Sequence, residues 1–396
     1  MNPSPRSLFG IVGLLATSIS LSTALAADPS SWTVTYELSA KSDIAINPSR
    51  LFHGPAAVVA PNGDWLVCFQ DSFDHGGTDG VISQMRSRDE GKTWQSDGIV
   101  YDERKANEPL FGRNPAYGVT RDGRVVLVVQ RWRPLPPGVQ EVLGESVTIH
   151  GSVYLTSRDN GKKYSVKGLV DPEVPLRHQG TTSAIIRDGN TMLMAAVSIN
   201  ARPRGISLYR TEDPDKGWQF AGWIFRHDDL PNPLFVSYGS LARRINGSLV
   251  AQCVHYGRNF QRVSHDGGKS WSEVRELKQL RTYKNPDLDY AGKILVVHGV
   301  GAPGFGESDP KAANWNSAAG LLVMYFSPNE GRDWGRPVIL NRYGWRGGGG
   351  YSASLRTKDG GLFIVFSTDS GPNTGKNGGK PDIRGIRLTD VEIRRP

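Results

Sequence analysis

Six short stretches place polar or aromatic side chains beside glycine or proline where the sequence is otherwise aliphatic: His53-Gly54-Pro55, Asn114-Pro115-Ala116-Tyr117, His178-Gln179-Gly180, Ser237-Tyr238-Gly239, Asn285-Pro286-Asp287 and Gly350-Tyr351-Ser352. Imidazoles and phenols move protons near neutral pH, and a phenol can also attack as a nucleophile. Arg113, Arg131 and Arg258 lie near these stretches in the sequence, and a guanidinium is a strong partner for a carboxylate. His75, inside the acidic run Asp71 to Asp79, and His255, in His255-Tyr256-Gly257-Arg258, extend the set. These groups can run a β-elimination on a uronic acid, with Arg neutralising the carboxylate, His or Tyr taking the C5 proton and Tyr protonating the leaving oxygen. Or they bind a glycan without cleaving it. No cluster has zinc-ligand spacing. Asp71, Asp74 and Asp79 offer the oxygen donors that Ca²⁺ takes, but the expectation is no metal and no other cofactor.

The elements that must position these residues repeat. Each stretch precedes a turn dipeptide that runs directly into an apolar segment: Asn62-Gly63 before Trp65 to Phe69, Asp122-Gly123 before Val125 to Val129, Asp188-Gly189 before Met192 to Val197, Asn246-Gly247 before Leu249 to Val254, Gly292 before Ile294 to Val297, and Asp359-Gly360 before Leu362 to Phe366. Xaa-Gly between β-rich runs signals a hairpin. The turns are 60, 66, 58, 45 and 68 residues apart. A second motif, S-x-D-x-G-x-x-W, opens at Ser87 and returns at Ser157, Ser264 and Ser327, with a worn copy from Thr211 to Trp218. There Ser and Asp bond to local backbone, Gly supplies positive φ and the aromatic ring closes over the turn. Self-similarity at this period marks a repeat architecture, and four strands in about 60 residues make one propeller blade. The expected fold is therefore all-β: a six-bladed β-propeller of four-stranded antiparallel blades. Trp32 to Leu38 is expected to pair with the last blade, Leu362 to Ile393, and close the ring. The six stretches then begin the innermost strands and meet at one mouth of the channel. Asn246-Gly247-Ser248 has a glycosylation pattern but is read as a turn.

Arg6, the apolar run Leu8 to Leu21 and Ala24-Leu25-Ala26 form a secretory signal peptide, with cleavage expected near Ala26 and a single propeller domain over 27–396. No later stretch has the roughly 20 apolar residues a membrane span requires. The expectation is a secreted or periplasmic monomer with no membrane span in the mature chain. Arg6 is the only charge in the leader, so the mature chain keeps +7 of the formal +8. That charge favours an anionic polymer. With no dense basic run or recognisable nucleic-acid module, the expected partner is an extracellular, acidic glycan or polysaccharide and not nucleic acid. Cys68 and Cys253 lie in different repeats and are expected to be buried thiols.

The motif copies, now termed Asp boxes, together with the six repeats, the leader and Gly350-Tyr351-Ser352-Ala353-Ser354-Leu355 resemble the sialidase (neuraminidase, BNR-repeat) superfamily over residues 45 to 390. That resemblance implies a glycosidase with Tyr351 as nucleophile. It implies Asp79 as acid/base, with Asp74 as second choice. The chain departs from the pattern at several positions. Tyr238 stands where the family has a Glu that activates the nucleophile. Phe52-His53-Gly54-Pro55, the neighbourhood of Phe73, and Ala318-Ala319-Gly320 stand where it has three substrate-clamping arginines. The implied catalytic set is Tyr351, Asp79, His53 and Tyr238. His75, Asn114, Tyr117, Arg131, His178, His255, Arg258 and Asn285 are expected to bind substrate. Some propeller-fold polysaccharide lyases use similar His, Tyr and Arg sets, and the segment from His53 to His75 resembles them in spacing.

Overall fold

Apolar side chains at consecutive positions, as in Trp65 to Phe69, suit strands buried on both faces. The computed structural model describes residues 32–73, 78–105, 110–134, 147–174, 180–181, 185–198, 204–230, 238–255, 257–280, 282–301, 321–342, 351–368 and 382–394. In it these runs form six antiparallel sheets. Blade one comprises β3 (Leu51–Val59), β4 (Trp65–Ser72), β5 (Val81–Ser87) and β6 (Gln95–Tyr101), and blade two β7 (Phe111–Val119), β8 (Val125–Pro134), β9 (Val147–Ser157) and β10 (Ser165–Leu169). Blade three has a divided inner strand, β11 (Gly180–Thr181) and β12 (Ile186–Asp188), followed by β13 (Thr191–Ser198), β14 (Gly205–Thr211) and β15 (Gln219–Arg226). Blade four comprises β16 (Tyr238–Arg243), β17 (Leu249–His255), β18 (Arg258–Ser264) and β19 (Arg275–Glu276), and blade five β20 (Thr282–Ala291), β21 (Ile294–Gly301), β22 (Leu321–Ser327) and β23 (Val338–Arg342). Blade six is β24 (Ser352–Arg356), β25 (Leu362–Ser367) and β26 (Ile383–Arg394), completed by β1 (Thr33–Leu38), with β2 (Ser42–Ala45) also on β26. The chain's first strand thus supplies the last blade's outer strand, as expected, in the register Val34↔Ile393 to Leu38↔Leu388.

Alternation within each strand distributes its side chains to the two neighbouring blades. On β4, Trp65, Val67 and Phe69 pack toward blade six, while Leu66 and Cys68 pack toward blade two. Six such interleaved cores, one between each pair of adjacent blades, close the ring. Each fully buried Leu, Val or Phe contributes about 1.5–3 kcal/mol relative to exposure. Cys68 and Cys253 are buried free thiols in different cores, and burial pushes both pKa values up.

The turn glycines at 63, 123, 189, 247, 292 and 360 all have positive φ, between 57° and 89°. In the first Asp box, the Gly91 N–H donates to Ser87 Oγ at 2.8 Å, Thr93 N–H donates to Asp89 at 2.8 Å, and Trp94 Nε1 donates to the Gly91 carbonyl at 3.2 Å. The Thr93 hydroxyl, which donates to Asp89 Oδ2 at 2.5 Å, and then the Thr93 N–H lower the Asp89 carboxyl to about 2. The boxes at Ser157, Ser264 and Ser327 repeat the serine-to-glycine bond. The worn copy substitutes a short 3-10 turn at Pro214–Lys216, and Arg124 bridges Asp213 and Asp215 beside it. Glycine turns and boxes lie at one end of the ring, so the starts of the inner strands lie at the other.

Candidate functional site

At that other end, the inner strands of blades one, two and five carry irregular register in the same place, between His53 and Ala56, Arg113 and Ala116, and Lys284 and Asp287. A bulge adds a residue to one strand and re-aims its side chains, and bulges collect beside active sites. In blades one and two, the residue before proline takes positive φ, 57° at Gly54 and 43° at Asn114. For Asn114 that backbone is costly, of the order of 1–3 kcal/mol. The two bulges face one another: a Cβ on Gly54 would stand 3.3 Å from Asn114 Oδ1. Asn114 Nδ2 donates to Gln130 Oε1 at 2.6 Å, and Gln70 and Gln130 lie across from His53 and Arg113 in register.

The mouth brings together three of the four residues expected to be catalytic. The hydroxyls of Tyr238 and Tyr351 are 3.1 Å apart, and either can donate. Their rings sit at 75° with centroids 6.1 Å apart. The buried His53 ring packs edge-on against Tyr351, with centroids 4.2 Å apart at 70°. Blade five separates Tyr238 on blade four from Tyr351 beside blade six, so their contact lies across the channel. Behind them lies a group that the sequence did not suggest. His298, on β21, is fully buried: its Nδ1 is 2.8 Å from Ser352 Oγ, and its Nε2 is 3.7 Å from Asp287 Oδ2. Burial lowers its pKa to about 3, so it is neutral. The available sequence signal was a lone imidazole inside the apolar run Ile294–Gly301, which read simply as a strand.

Asp79 belongs to the rim. Its carboxylate accepts from Arg50 Nη1 at 2.8 Å and from the Phe73 N–H at 3.0 and 3.1 Å. Arg50 also holds Asp71, at 2.5 Å through Nε, and its guanidinium lies over the Phe73 ring, 4.6 Å from the centroid. Arg113 is buried, with Trp132 and Phe111 beneath its guanidinium at 4.5 and 5.8 Å.

Several expected ligands lie elsewhere. Tyr117 does not face the mouth. It is 1% exposed in the core between blades one and two, with its hydroxyl 2.6 Å from Gln84 Oε1 and 3.1 Å from the Tyr164 hydroxyl. The extra residue in the bulge resets the alternation, so Ala116 faces blade three and Tyr117 faces blade one. Arg131 is ion-paired with Glu103 at 3.5 Å, and Arg258 binds Glu276 through two bonds of 2.8 and 2.6 Å. Arg258 starts a third strand and Arg131 lies in the later half of a second one, so both stand back from the inner wall. His255 ends β17 opposite Arg258, and Asn285 lies on bulged β20. Asp74, His75 and His178 lie outside the described residues.

Closed ring, box hairpins and aromatic mouth together define a six-bladed propeller of the sialidase-like class. The chain belongs to the BNR repeat-like domain family, whose model matches residues 63–364. No curated protein matches it. Among solved structures it is similar to a protein of unknown function from Dyadobacter fermentans, at 16% identity and a TM-score of 0.65, covering 89% of this chain and 98% of that one. It is also similar to the Hadza microbial sialidase Hz136, at 14% identity and 0.61, covering 85% of this chain and 65% of that one. The Penicillium chrysogenum α-L-arabinanase complexed with arabinobiose matches at 14% identity and 0.54, covering 94% and 98%. At these identities the likeness shows the fold.

Proposed function

We propose that this protein is a secreted glycoside hydrolase that acts on an extracellular, acidic glycan, with Tyr351 as the group that attacks the sugar. The carrying observation is the hydroxyl pair of Tyr238 and Tyr351, 3.1 Å apart across the mouth, with His53 packed against the second ring. A neutral phenol is not repelled by a substrate carboxylate as a carboxylate nucleophile would be. Tyr238 orients the Tyr351 hydroxyl, and His53 fixes its ring. A sialidase and an arabinanase on the same fold support glycoside cleavage as the reaction class. The leader-like residues 1–26 and the net positive charge support secretion and an anionic substrate. Among the described residues, no helix is long and apolar enough to cross a membrane.

β-Elimination is the second reading, favoured by one observation. Tyr238 occupies the position where the sialidase pattern carries a carboxylate, so the mouth pairs two phenols beside an imidazole, a set suited to moving protons. A panel of acidic and neutral polysaccharides, scored for new reducing ends and for ultraviolet absorbance of unsaturated uronate, separates the two. Reducing ends without that absorbance support the hydrolase, and absorbance supports the lyase. Binding without either product leaves a non-catalytic glycan-binding propeller.

A further inference from the structure

We propose that Phe73 forms a sugar-stacking subsite on the rim of the mouth, taking the apolar face of a pyranose ring of the same glycan that reaches Tyr351. This rests on the glycan reading above. Phe73 is 57% exposed, an uncommon state for a phenylalanine. Its backbone is pinned at the base of the side chain, where the Phe73 main-chain N–H donates to both oxygens of Asp79, at 3.0 and 3.1 Å. The Arg50 guanidinium lies over the ring, 4.6 Å from the centroid. Arg50 in turn is fixed by Asp71 Oδ1 at 2.5 Å, by the Asp71 carbonyl at 3.0 Å and by Asp79 Oδ2 at 2.8 Å. Arg104 Nη1 adds a bond to the Asp79 carbonyl at 3.3 Å.

An exposed side chain whose only task is to stay soluble needs none of these supports. An aromatic surface offered to water and held in place loses little conformational entropy on binding, which is how preorganisation gives affinity. Position argues the same way. Phe73 directly follows β4, whose last residue, Ser72, pairs with Leu51 two positions before His53. The ring therefore stands at the mouth end, one strand outward from the inner wall. The aliphatic C–H face of a sugar matches a flat aromatic surface, while the flanking charged groups suit its hydroxyls. Asp79 then acts as the anchor of this platform.

The test is affinity electrophoresis of the full-length mature chain through gels containing polygalacturonate, alginate or hyaluronan, with a neutral glucan as control. Losing the stacked area should weaken retardation of Phe73→Ala roughly tenfold in Kd. Phe73→Trp should keep or strengthen it, and both variants should melt with wild type. Wild-type binding that Phe73→Ala leaves unchanged overturns the subsite alone. A wild-type protein that no gel retards overturns the subsite and the acidic-glycan reading together.

Discussion

At the scale of residues, the buried imidazole is as informative as the phenols. His298 carries no charge in the fold because burial lowers its pKa from 6.5 to about 3. Below about pH 6.5 the unfolded chain takes up a proton that the folded chain refuses. Stability from this group is therefore complete above 6.5 and lost as pH falls toward 3, by up to about 1.4 kcal/mol per pH unit. His298→Gln should lower stability at pH 7, where the bond with Ser352 is disturbed, but flatten its decline between pH 6 and 4. Urea unfolding midpoints at several pH values check this, and equal slopes in both proteins would contradict it. Neither His298 nor the diversion of Tyr117 into a core was legible in the sequence. A lone histidine inside Ile294–Gly301 carries no directional signal, and the bulge at Asn114 reverses which face each following residue takes. His53, Tyr238 and Tyr351 were legible because each interrupts an aliphatic pattern beside Gly or Pro.

At the scale of elements, glycine positions made the blades readable. All six turn glycines and the glycines of all four full boxes adopt the positive φ their spacing predicted. The boxes also place a left-handed residue before that glycine, Glu90, Asn160 or Glu330, where only the third box uses Gly267. This second constraint is hidden in the sequence because side chains other than glycine bear it. Gly91 has no such latitude. Its φ is 83°, and a Cβ would come within 2.7 Å of Trp65 Cζ3. Gly91→Ala should destabilise the protein by about 1–3 kcal/mol. Glu90→Gly should cost far less or stabilise, and thermal melting of the pair distinguishes backbone conformation from loss of a side chain.

At the scale of the whole molecule, a ring requires its ends to meet. β1 pairs with β26, and Trp32, Val34, Tyr36 and Leu38 pack into the core between blades five and six. Deleting residues 32–45 exposes the edge of β26 and opens that core, so the truncated chain should lose cooperative unfolding and aggregate, which calorimetry and light scattering would show. The ring also brings strands from blades one, four and six, distant in sequence, to one mouth. The number of blades could be read from periodicity, whereas the partners across the channel could be known only after closure. The most direct measurement of the central claim is turnover by Tyr351→Phe on whichever polysaccharide in the panel the wild type cleaves, with melting temperature recorded alongside. Removing one oxygen leaves the contact with His53 and the surrounding packing in place. Turnover should fall roughly 10²-fold or more with little change in melting temperature. Turnover within a few-fold of wild type in a stably folded variant would show that Tyr351 is not the reacting group.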